Sequence, residues 1–113
     1  MSRDPQLYLD ELIEAAERAM RFGQNLERSD YQPGAMAYEA ILRQIEVIGE
    51  AAAHLPPQVR LMSPEIPWDN LIGMRNRLIH GYFAIDPDIV FDVVRNKLPV
   101  LLTAAQRLSD QLS

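Results

Sequence analysis

The segment Arg75-Asn76-Arg77-Leu78-Ile79-His80-Gly81-Tyr82 gathers two arginines, one of the chain's two histidines, an amide and a phenol into eight consecutive residues. Leu71, Met74 and Leu78 recur at helical spacing through it, so it is predicted to lie on an amphipathic helix. On such a helix Tyr82 stands seven positions beyond Arg75 and returns to nearly the same face, while Asn76 and His80 form an i, i+4 pair on a neighbouring stripe. Arg75 and His80 themselves are about 140° apart around the axis and about 7.5 Å apart along it. They can serve one substrate only if the helix end unwinds or a second copy of the chain completes the site.

These residue types suit RNA cleavage without a metal. An arginine fork binds a phosphate bidentately and stabilises charge that builds on it in the transition state. A histidine moves a proton from a 2′-hydroxyl or to a leaving oxygen. Asn76 is placed to orient either group, and Tyr82 adds a hydroxyl at the same edge. A structural reading stands beside this one. His80-Gly81 also has the form of a helix C-terminus, with a cation meeting the dipole and glycine supplying the cap.

Outward from this segment, proline repeatedly marks a helix start behind a capping residue. Asp4-Pro5 opens a first helix over about 5–26, with Leu9, Leu12, Ile13, Ala16 and Met20 on its apolar stripe. A polar connection, 27–33, leads to a second helix over about 34–54. Tyr38, Leu42, Ile45, Ile48 and Ala52 form its buried face, and Gly49 allows another helix to approach closely. Its other side carries Glu39, Arg43, Glu46 and Glu50. They form either a solvated face with i, i+3 pairs, or a wall from which Glu46 or Glu50 holds the Arg75 guanidinium. His54 reads as a cap-region residue without chemistry.

Four prolines between 56 and 67 leave room for one short turn near 58–62. Trp68 leads the motif helix and reads as a core anchor. That helix is apolar on a second side through Ile72 and Ile79, so two grips are expected, one from its own bundle and one from a second subunit. Asp86-Pro87 opens another helix to about 96, burying Ile89, Val90, Val93 and Val94. Pro99 breaks or kinks the chain before a last helix, 100–112, that packs through Leu101, Leu102, Ala105 and Leu108. The expected fold is all-α: one domain over 1–113, an antiparallel bundle of four main helices with a short extra turn and a proline-kinked last helix.

At 113 residues the chain has room for one modest core, and 48% hydrophobic with 24% charged residues is ordinary for a soluble globular protein. The absence of cysteine excludes disulfides and thiolate metal sites and fits a cytoplasmic location. Two histidines suggest no clustered metal site, and no cofactor is expected. No stretch has the length of a signal peptide or a membrane span. A formal charge of −5 points to weak non-specific RNA binding or a basic partner, though a cleft can still be locally basic.

Arg75-x4-His80-x-Tyr82 resembles the R-x4-6-H motif of the HEPN superfamily, in the R-x4-H-x-Y form of the HepT-like toxins, with Asn76 as the polar residue after the arginine. The likeness extends to Ile48-Gly49-Glu50-Ala51, to Pro67-Trp68, and to Arg3-Asp4 with Tyr8-Leu9, and covers essentially the whole chain. What the resemblance implies is a metal-independent endoribonuclease, the toxin half of a toxin–antitoxin pair, working as a homodimer whose motif helices face each other. Arg75 would contact the scissile phosphate and His80 would be the acid/base, with Asn76 and Tyr82 in support; Glu46 and Glu50 join them as supporting candidates only from the charged face of the second helix. The partner implied is a minimal, MntA-like nucleotidyltransferase antitoxin that transfers AMP to Tyr82. Two alternatives remain: a non-catalytic subunit that positions a nucleotidyltransferase's substrate, and a plain helical dimer module.

Overall fold

A computed structural model describes residues 4–113; Arg3, one of the opening landmarks, lies outside them. Among these residues the helices are α1 (Pro5–Phe22), α2 (Met36–His54), α3 (Pro57–Arg60), α4 (Trp68–His80), α5 (Pro87–Asp92) and α6 (Leu98–Leu112), with 3₁₀ turns at Arg28–Asp30 and Tyr82–Ala84. No strand occurs among them. The all-α bundle expected from the sequence is what forms.

The proline signals mark the starts they were expected to mark. The Asp4 carboxylate accepts from the Gln6 N–H at 2.9 Å, and the Asp86 carboxylate accepts from the Asp88 N–H at 2.9 Å, each satisfying a free donor of the first turn behind a proline. Asp86→Ala therefore lowers stability by about 1 kcal/mol, and the thermal midpoint by about 4 °C. An unchanged midpoint in circular dichroism would show that the cap contributes nothing.

Two expectations change in detail. α1 stops at Phe22, short of 26, where the chain turns at Gly23 against the Tyr31 hydroxyl and Val94. Pro99 does not break the last helix. It lacks an N–H, and its ring would collide with the carbonyl four residues back in ordinary α geometry. Residues Val93–Lys97 widen into a π-turn immediately before it, and the helix continues into α6 with Pro99 in its first turn.

The core sits between α1, α2 and α6, where Leu9, Leu12, Tyr38, Leu42, Ile48, Leu101, Ala105 and Leu108 are buried. Trp68 is the expected anchor: its ring is buried, and its indole N–H lies 3.1 Å from both the Arg60 and Ser63 carbonyl oxygens. α4 packs on α2, with Leu78 buried and Leu71 partly buried against the core, but an open groove of about 690 Å³ separates it from α5 and α6. Ile45, Ile48, Leu98 and Leu101 line that groove. Ile89, expected in the core, lies on its rim and is 47% exposed, because α4 does not close over it. Within one chain, then, the motif helix is gripped by α2 alone among the long helices.

Candidate active site

Gly49 sets how the motif helix lies. A Cβ at this position would stand 2.3 Å from the Arg75 Cβ, 3.1 Å from its Cγ and 2.7 Å from the Leu71 carbonyl oxygen. The expected close approach is therefore real, and the aliphatic stem of Arg75 is what crosses Gly49. Arg75 is partly buried, and its Nε is shielded with no hydrogen-bond partner. Among the described residues no ion pair or hydrogen bond joins Arg75 to Glu46 or Glu50.

The two carboxylates are otherwise engaged. Glu46 Oε1 accepts a 3.0 Å hydrogen bond from the Tyr82 hydroxyl, and Glu46 Oε2 is 3.6 Å from Arg43. The pair with Arg43 is the i, i+3 contact expected of this face. Glu50 lines a polar groove between α1 and α2 with Glu14, Arg18 and Arg43. The idea that one of these carboxylates clamps the guanidinium is thus replaced: Glu46 holds the phenol instead.

α4 remains helical to its last residue, His80, and Gly81 follows at φ +144°, a conformation open to glycine at little cost. The structural reading of His80-Gly81 as a helix end is thereby realised, and it leaves His80 exposed beside exposed Asn76 and Arg77. Because the helix does not unwind, Arg75 and His80 stay on different sides of its cylinder. Tyr82, by contrast, owes its position to the turn and not to helical spacing. Gly81 redirects the chain so that Tyr82 points at α2. Burial, and then the Glu46 carboxylate that accepts its hydrogen bond, raise the Tyr82 pKa above the ordinary phenol value, so the group is a proton donor at neutral pH.

One neighbour was missed from the sequence. Phe83 is 84% exposed, with its ring leaning over Gly81, and Ile79 is 53% exposed on the same helix end. No periodic signal marks it, because Phe83 falls in the turn after Gly81, outside any helical stripe. His54, read as chemically idle, stacks on Tyr8 with ring centroids 5.1 Å apart, and its Nδ1 lies 2.8 Å from the Glu50 carbonyl oxygen. Among the described residues no group of three or more His, Cys, Asp or Glu side chains is placed to hold a metal ion, and no helix is long and apolar enough to cross a membrane.

A family model described as "Ribonuclease HepT-like" matches residues 12–108. The chain belongs to that family. It is 32% identical over 108 residues to "Probable ribonuclease HepT" of Thermococcus cleftensis, covering 96% of this chain and 98% of that one. It is also 31% identical over 97 residues to "Putative RNase MJ1380" of Methanocaldococcus jannaschii, covering 86% and 89%. No solved structure matches it. Its relatives carry ribonuclease names, in keeping with the HepT-like assignment.

Proposed function

We propose that this HepT-like chain is a metal-independent endoribonuclease that acts as a homodimer, the toxin of a toxin–antitoxin pair in the cytoplasm. The observation that carries the reading is the intact motif helix. Arg75 and His80 lie on different sides of an unbroken α4, so one copy alone presents them to different substrates. A two-fold axis beside α4 brings Arg75 of one protomer toward His80 of its partner. Exposed Ile79 and Phe83 at this helix end supply apolar surface for the contact. In the composite site Arg75 binds the scissile phosphate and His80 exchanges protons with the 2′-hydroxyl and the leaving oxygen, while Asn76 orients them. The partner is a minimal nucleotidyltransferase that silences the site through Tyr82.

Mixing two inactive variants tests this geometry. In an equimolar, re-equilibrated mixture of Arg75→Ala and His80→Ala, half the dimers are mixed and each holds one site with both groups intact. Cleavage in EDTA then returns to about a quarter of wild type, with 2′,3′-cyclic phosphate ends. A mixture no more active than either variant, or light scattering that finds a monomer at micromolar concentration, would sink the composite site.

A further inference from the structure

We infer that Gly49 is a positioning residue for Arg75: its missing side chain sets the depth at which the guanidinium is held in the α2–α4 crossing. This rests on the ribonuclease reading for its effect on cleavage, but its structural half can be tested without RNA. Three observations combine. The atoms that a Cβ at residue 49 would meet first are the Arg75 Cβ at 2.3 Å and the Leu71 carbonyl oxygen at 2.7 Å. One is the root of a side chain and the other is backbone, so neither can turn aside as the tip of a long side chain would. The second observation is that the Arg75 Nε is buried and unpartnered. The third is that no carboxylate among the described residues grips Arg75, since Glu46 is committed to Tyr82 and Arg43.

An active-site arginine usually owes its fixed direction to an acidic neighbour. Here the helix crossing does that work. The stem is wedged over Gly49 and Nε is sealed beneath it, which leaves the two terminal nitrogens, Nη1 and Nη2, as the edge available to a phosphate. With no carboxylate bonded to it, the guanidinium's charge is not partly neutralised before substrate arrives. Restoring ordinary contact, 3.4 Å or more where 2.3 Å would result, requires α4 to retreat by at least about 1 Å. Misplacement on that scale costs about 10²-fold in rate.

The experiment compares Gly49→Ala with Gly73→Ala. Gly73 lies on the motif helix, and a methyl group there would meet nothing within 4 Å, so alanine at 73 folds and cuts like the wild type. Gly49→Ala is expected to lower single-turnover cleavage by about 10²-fold in the wild-type background and by at least about tenfold less in an Arg75→Ala background, where the retained Cβ still displaces α4 but no guanidinium is left to misplace. Equal losses in both backgrounds would make Gly49 a structural residue unrelated to Arg75 and overturn the proposal. So would wild-type cleavage by Gly49→Ala.

A second measurement needs no RNA. In the wild type, nitrogen-15 spectra should show the Arg75 Nε–H, assigned by its loss in Arg75→Lys, exchanging with water at least about tenfold more slowly than that of exposed Arg77. Gly49→Ala, where folded, should remove the difference. Comparable exchange at Arg75 and Arg77 in the wild type would overturn the seat itself. If instead Arg75→Ala cuts like the wild type, the cleavage reading falls, and the exchange result alone decides whether Gly49 seats Arg75.

Discussion

Arg75→Ala and His80→Ala each lower the single-turnover rate of RNA cleavage by about 10²–10³, while both variants keep the helical content of the wild type. Phosphate oxygens gain charge as the 2′-hydroxyl attacks, and Arg75 is the partly buried cation of the motif, with its terminal nitrogens unclaimed by any carboxylate among the described residues. His80 is exposed at the end of α4, so on the proposed function its loss should remove proton transfer and spare the buried core. Arg75→Ala also deletes the stem that lies over Gly49, a packing loss that the helix interface can absorb. Arg75→Lys keeps most of that stem and the charge but loses the planar fork, and falls between alanine and wild type. The measurement is cleavage of a defined single-stranded RNA in EDTA, with unfolding midpoints recorded in parallel. Equal residual cutting by the wild type and both alanine variants would assign the activity to a contaminant.

Much of the bundle was legible in the sequence because its signals are local. Asp-Pro pairs at 4–5 and 86–87 each provide a cap and a fixed φ within two residues, and both helices begin there. The stripe of Tyr38, Leu42, Ile45, Ile48 and Ala52 needs only the 3.6-residue period, and all five are buried. Gly49 could be read as a close approach, but the identity of the side chain lying on it depends on how two helices cross, which no period encodes. The same limit explains Glu46. Helical spacing carried past His80 puts Tyr82 over Arg75; one glycine at φ +144° ends the helix and turns the phenol toward α2. Pro99 was read as a break or a kink because a proline in an α-helix removes a bond. A π-turn is the other way to accommodate one, and here it spans Val93–Lys97 with Val94 and Leu98 buried. Ile89 shows the reverse failure, a correctly periodic apolar residue left on a groove rim because its covering helix is absent within one chain.

On the proposed function, incubation with the cognate nucleotidyltransferase and ATP should add about 329 Da per AMP at Tyr82 and stop cleavage. In the transfer the phenol oxygen bonds to the α-phosphorus of ATP, the bond to the β-phosphate oxygen breaks, pyrophosphate leaves with that electron pair, and the phenol proton passes to a base. At rest the Tyr82 hydroxyl donates to Glu46 at 3.0 Å, and burial together with that carboxylate keeps it protonated beyond the ordinary phenol range. The sign of this shift is checkable. A raised folded-state pKa gives a stability contribution fully present below the unfolded value of about 10, and lost as pH rises through the folded value. In an ultraviolet titration Tyr82 should therefore ionise above a free tyrosine, and Glu46→Gln should bring it down.

Modification breaks the bond to Glu46 and adds one negative charge beside that carboxylate, so the adduct is driven off α2 by repulsion. Arg43 already acts on the phenol from α2, and Arg75, whose guanidinium holds no carboxylate among the described residues, is the second cation, the one proposed to receive the phosphate. On that proposal the modified Tyr82 would occupy the phosphate site with a tethered imitation of the substrate, and the adenosine would exclude RNA. Peptide mass spectrometry locates the adduct, and Tyr82→Phe should keep cutting in the presence of partner and ATP. If Tyr82→Phe is silenced with the same dependence on ATP, the switch is at another residue and Tyr82 serves only to tie the end of the motif helix to α2.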